Sequence, residues 1–231
     1  MWGSPLIVED KLVGVMAMFS RTALTMSSWE SAYRYSGSPS SGCAPPCRST
    51  RSASQRLAAK KTASVIPHEA LQELPFLQGF LAVPYWALVR FGQWDEILAE
   101  PAPHESLTLD TAMWLYAQAF AHANMGDLDA ARADRAKLAA LQKADFGKYA
   151  VFGVPAEAMI PVALAAVDGE IARKSGDLDA AAAHFRRAQG MERALPYTEP
   201  AYWHRPMAHL LGAALLEAGK AAEAEAVYRD S

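Results

Sequence analysis

From Pro67 to the end of the chain, apolar residues recur with the period of a helix, and the pattern is broken at short intervals by glycine and proline. It predicts helices over 68–90 (interrupted at Pro75 and Pro84), 93–99, 107–125, 128–144, 156–175, 178–192, 199–218 and 220–230. Eight helices with short joints predict antiparallel pairs ranked in a row, an all-α solenoid of about four pairs. Proline marks the joints: Pro101 and Pro103 close the first pair, Pro155 opens the fifth helix, and Pro196 and Pro200 frame the turn before the seventh.

One phrase occurs twice, Gly126-Asp127-Leu128-Asp129-Ala130-Ala131 and Gly176-Asp177-Leu178-Asp179-Ala180-Ala181. Each copy lies between two helical stretches and reads as their corner. The glycine can take the left-handed conformation that ends a helix, and the aspartates then accept the unpaired N–H groups of the next. Weaker corners stand at Phe91-Gly92-Gln93-Trp94-Asp95 and Ala218-Gly219-Lys220-Ala221-Ala222-Glu223. The four glycines are 34, 50 and 43 residues apart, and the first interval is that of a two-helix repeat of about 34 residues.

The first 66 residues have a different character. Residues 4–19 hold two apolar, β-rich runs around Asp10-Lys11 and predict a hairpin, and Thr25 is placed to cap a short helix through Trp29. From Ser31 to His68 there is no acidic residue but nine serines and six Lys/Arg, a composition that predicts disorder to about Ala53, followed by a helical run to Ala63. A flexible linker, a basic interaction arm and a segment translated out of frame are all compatible with it. The organisation expected is thus a fragment over 1–31, a basic Ser/Pro/Arg-rich linker over 32–66 and a helical domain over 67–231.

Charge follows this division. Residues 1–66 carry eight Lys/Arg against three Asp/Glu, and 67–231 carry fourteen against twenty-two, which argues against nucleic acid as a partner of the helical part. Cys43 and Cys47 are the only cysteines and lack a second Cys/His pair at zinc-site spacing. No apolar run reaches the ~18 residues of a membrane span, so a cytoplasmic chain with no membrane partner is expected.

In the third predicted pair Gly169 stands in the first helix and Ala181, Phe185 and Ala188 share one face of the second; in the fourth, Leu211-Gly212 and Leu215 are followed by Ala224 and Tyr228. These small and aromatic positions resemble those of tetratricopeptide repeats, most specifically over 162–231. The second pair departs from that pattern, with Gln118 where a leucine is usual and Arg135 where an aromatic is usual, and looser or rearranged packing is expected there. The stretch 197–206, Tyr-Thr-Glu-Pro-Ala-Tyr-Trp-His-Arg-Pro, with Leu211 to Gly219 and Arg90 to Asp95, resembles a group of bacterial tetratricopeptide proteins. That likeness implies a further polar helix beyond Ser231. Residues 4–31 resemble the late hairpin of GAF domains, which in bacterial sensory proteins contribute to a ligand pocket.

The tetratricopeptide resemblance implies a peptide or partner helix bound along the concave face. The matching groove positions are Trp86 and Arg90, then Tyr116, Phe120 and Asn124, then Glu170, Arg173 and Lys174, and finally His209 and Glu217. Trp86, Tyr116 and Phe120 are equally readable as core residues. Arg173-Lys174 reads either as a clamp for a carboxylate or as a solvated helix end. Trp203 is expected as a plug between the third and fourth pairs. His104, His122 and His184 have no acidic or cysteine partner at ligand spacing, and His204 and His209 point to different helix faces. No nucleophile elbow, phosphate loop or H-E-x-x-H occurs. The function expected is therefore non-enzymatic protein–protein interaction, without a cofactor; the alternative is a sensory module in which the GAF-like piece contributes to ligand sensing.

Overall fold

The computed structural model describes residues 77–144, 146, 155–197, 203 and 205–231, preceded by 57, 59–61, 63, 64, 66 and 71. The chain divides between Arg51 and Ser52, and every described residue belongs to the second unit. The hairpin over 4–19, the Thr25 cap and the stretch from Ser31 to Ala53 lie outside the described residues.

The described residues are helical and include no strand. In chain order the helices are α1 (Gln78–Leu81), α2 (Val83–Phe91), α3 (Trp94–Ala99), α4 (Thr108–Met125), α5 (Leu128–Ala140), α6 (Ala156–Lys174), α7 (Leu178–Arg193), α8 (Met207–Glu217) and α9 (Ala221–Arg229), with a 3-10 turn at Leu141–Lys143 after α5. The break between α1 and α2 falls at Ala82. Pro84 sits in the first turn of α2, where its missing N–H costs nothing. Of the helix expected over 199–218, residues 199–202 and 204 lie outside the described residues, and α8 starts at Met207, after Pro206, which has extended backbone. Pro161 lies inside α6, past the first turn, and the helix runs on through it.

Packing proceeds from neighbour to neighbour. α3 packs on α2, α4 on α2 and α3, α5 on α4, α6 on α4 and α5, α7 on α6, α8 on α7 and α9 on α8. The two long central helices, α4 and α6, are buried on most sides, as helices with neighbours all round must be. α7 buries one stripe, Ala181, Ala182, Phe185, Ala188 and Gln189, and leaves the rest to solvent.

The corners match the sequence closely. Gly126 and Gly176 have φ of 91° and 89°, backbone that a Cβ would strain. At each, the N–H of the following aspartate reaches back to the carbonyl five residues earlier, Asp127 to His122 and Asp177 to Ala172. The same aspartates then cap the next helix, accepting from Ala130 N–H at 3.0 Å and Ala180 N–H at 2.9 Å. Gln93 to Leu88 and Lys220 to Leu215 repeat the turn at the other two corners.

The second pair is rearranged rather than loosened. Buried Gln118 donates to the Ile97 carbonyl at 2.7 Å, satisfying an acceptor in the last turn of α3. Arg135 reaches forward from α5 and holds Asp168 of α6 by two parallel bonds of 2.7 and 2.8 Å. Where an aromatic ring would fill space, a bidentate ion pair joins this pair of helices to the next.

Candidate partner-binding groove

Four of the ten residues read as groove positions are linked in one polar chain. Asn124, near the end of α4, donates to Glu170 Oε1 at 2.8 Å. Glu170 is only 2% exposed, and Arg173, one turn further along α6, donates to both of its oxygens at 2.6 and 3.1 Å. Arg173 Nη1 continues to Glu217 Oε1 of α8 at 2.5 Å. A buried carboxylate is costly unless paired and hydrogen-bonded, and here one arginine and one amide answer it. Glu170 and then Glu217 raise the Arg173 pKa against the opposing effect of burial. Arg173 is thus engaged by two carboxylates of its own chain, while Lys174 beside it is exposed at the end of α6.

The aromatic positions form a second group. Tyr116 and Phe120 are buried on α4, their rings 4.8 Å apart. Trp203, from the connection between α7 and α8, meets Tyr116 edge-on at 5.5 Å and Trp86 of α2 at 6.3 Å. Edge-to-face contact at this range is favourable for aromatic pairs. Expected as a plug between the third and fourth pairs, Trp203 makes its ring contacts with α2 and α4 instead. Burial pushes the Tyr116 phenol up, opposed by Arg205 and aided by Glu170 and Glu192.

The remaining positions border these groups. His209 is half-buried at the start of α8, its ring 6.1 Å from that of Tyr228. Burial lowers its pKa first, and Arg205 and Arg90 lower it further, which places two guanidinium groups within electrostatic reach of the imidazole. Glu192, at the end of α7, accepts the Met207 N–H at 2.8 Å and so caps α8 across the connection.

Asp110 was not among the residues singled out by the sequence. It sits in the first turn of α4, an ordinary solvent-facing place for a carboxylate, yet it is 5% exposed and its Oδ1 has no hydrogen-bond partner. Burial raises its pKa to about 7. His122, which has no acidic partner at ligand spacing in the sequence, stands 3.6 Å from Asp134, twelve residues on. Among the described residues, no three His, Cys, Asp or Glu side chains gather as a metal site would need, and no helix is long and apolar enough to cross a membrane.

Compared with known family models, curated proteins and solved structures, the chain matches none.

Proposed function

We propose that residues 67–231 form a tetratricopeptide-like array of four helix pairs whose role is to hold a protein partner, and that the chain catalyses no reaction. Four corners of one design support this, as do Phe185 and Tyr228, each sixteen residues after a glycine that its ring covers. The observation that carries it is the polar chain from Asn124 through Glu170 and Arg173 to Glu217. It ties α4, α6 and α8, the first helices of three successive pairs, into one preorganised row. A row of fixed polar groups beside exposed Lys174 suits an extended peptide or a partner helix better than a small molecule.

Selection of a random peptide library on the full chain tests this. Ligands should emerge whose binding is weakened by Lys174→Glu, a change at an exposed side chain that leaves the core untouched. Failure to select any ligand, or ligands indifferent to that substitution and to Glu217→Lys, would remove the groove from consideration. A thermal-shift screen with cyclic nucleotides and tetrapyrroles should be silent; a shift with either would favour the sensory reading instead.

A further inference from the structure

α9 packs on α8, yet Ala224 is its one buried residue, and the Tyr228 ring that covers Gly212 stays 39% exposed. So little apolar burial holds a helix weakly. It is fastened further by a row of charges that reaches past α8 to α7. Lys220, at the start of α9, donates to Asp179 Oδ1 at 2.6 Å; Arg186 donates to Glu223 Oε2 at 3.3 Å; and Arg193 donates to Asp230 Oδ2 at 2.6 Å and to its carbonyl at 3.0 Å. Asp179, Arg186 and Arg193 recur every seven residues, which keeps them on one edge of α7. Along that edge α7 offers a carboxylate and then two guanidinium groups, and the facing residues offer an ammonium and then two carboxylates. A slip of one rung toward the end of α7 would set Lys220 beside Arg186, like against like. All six side chains are at least 40% exposed, so salt reaches every rung.

The row also reaches the groove. Lys220 N–H donates to the Leu215 carbonyl at 2.8 Å and Gly219 N–H to that of Leu216 at 3.0 Å, closing the last turn of α8. Glu217 lies in that turn, and its carboxylate holds Arg173. Lys220 thus belongs both to the row of charges and to the corner that fixes Glu217. We propose that α9 is an ionic strap: its three rungs to α7 keep it closed, and its closure holds Glu217 at the end of the polar chain. Raised ionic strength, or loss of a rung, opens α9 ahead of the rest of the fold and frees Glu217 from Arg173. The consequence rests on the groove reading and adds a control of that site. Coupling of this kind is mutual, so breaking the Glu217 contact must also loosen α9.

Hydrogen exchange on the full chain tests this, read at the amides from Ala224 to Asp230 with those of α6 as internal reference, because protection reports the local opening equilibrium. Relative to α6, α9 of the wild type should exchange about three-fold or more faster at ~0.5 M salt than at ~0.02 M, as the rungs are screened. At low salt Arg193→Glu should speed α9 about five-fold or more, and adding Asp230→Arg should return it to within about two-fold of the wild type. Glu217→Gln should speed α9 about two-fold or more. Exchange of α9 in step with α6 at both salt concentrations, or a swapped pair no better than Arg193→Glu alone, overturns the strap. Should Arg193→Glu not fold, the salt series on the wild type decides alone. A Glu217→Gln protein whose α9 exchanges as the wild type does overturns the link to the polar chain. If no library ligand is selected while the salt and swap results hold, the groove falls and the strap stands, so the two readings fail separately.

Discussion

The ring of Phe185 fills the space that any side chain at Gly169 would need: a Cβ there would stand 2.6 Å from two of its ring carbons. The glycine belongs to α6 and the fully buried ring to α7, and their contact sets how closely the two helices approach. Tyr228 covers Gly212 in the same register one pair later, although Tyr228 keeps 39% of its surface exposed. In the second pair Ala119 and Arg135 stand at this spacing, and the arginine turns to Asp168 instead.

Gly169→Ala should therefore destabilise the protein by roughly 1–3 kcal/mol, the range for overpacking a tight core. Phe185→Ala should cost roughly 3–5 kcal/mol by opening a cavity. Combining Gly169→Ala with Phe185→Leu should cost less than the two changes separately, since the smaller side chain admits the methyl group. Urea denaturation of the wild type, the single variants and the double variant checks this. Strict additivity, or a Phe185→Ala effect below about 1 kcal/mol, would take the ring out of the packing argument.

Arg173 answers the buried Glu170, so Arg173→Ala should cost roughly 3–5 kcal/mol, the penalty of leaving a buried charge without its partner. Adding Glu170→Gln should restore part of the loss, because an amide is cheaper to bury than a carboxylate. A double variant no more stable than Arg173→Ala alone would mean that Glu170 is not what Arg173 stabilises.

Asp110 predicts a pH dependence of definite sign. Burial raises its folded pKa to about 7, above the unfolded value of about 3.9. The folded state therefore favours the protonated acid. Its contribution to stability is fully present below about pH 4 and is lost as pH rises through about 7, amounting to roughly 2–4 kcal/mol. Asp110→Asn, which keeps the shape and removes the charge, should be more stable than the wild type at pH 8 and should flatten this part of the profile. Denaturation midpoints at pH 5 and pH 8 for both proteins decide the matter. Parallel profiles would show that Asp110 does not titrate in this window.

The Arg135–Asp168 pair joins α5 to α6 while partly exposed to solvent. Removing either partner should be modest, and a double-mutant cycle with Arg135→Ala and Asp168→Ala should return a coupling of roughly 0.5–1.5 kcal/mol. A coupling indistinguishable from zero would leave the pair as geometry without energetic weight.

How much of this is legible in the sequence depends on the range of the interaction concerned. The corners are readable because their causes are local: glycine at a left-handed position and aspartate at a helix start act within a few residues. The break near Pro84 and the stripe Ala181, Phe185, Ala188 are readable for the same reason, since backbone sterics and helical period are properties of short segments. α8 begins at Met207 with Pro206 before it, since a proline is tolerated at a helix start and not in its interior, whereas the apolar spacing alone carries no such boundary. Arg135 stands out as a departure from the repeat pattern, but its partner Asp168, 33 residues on, does not.

Local sequence thus determined that the described residues from Leu77 onward are largely helical, where most of the helices end, and which glycines would lie beneath aromatic rings. Only the tertiary structure decided that Glu170 is buried under Arg173, that Asp110 in an ordinary first-turn position is shut away from water, and that Trp203 turns back to α2 and α4. The physical reason is that helix caps and turns are set by the few residues that make them. Desolvation and aromatic contact depend on which distant helix arrives alongside, and no period along the chain records that.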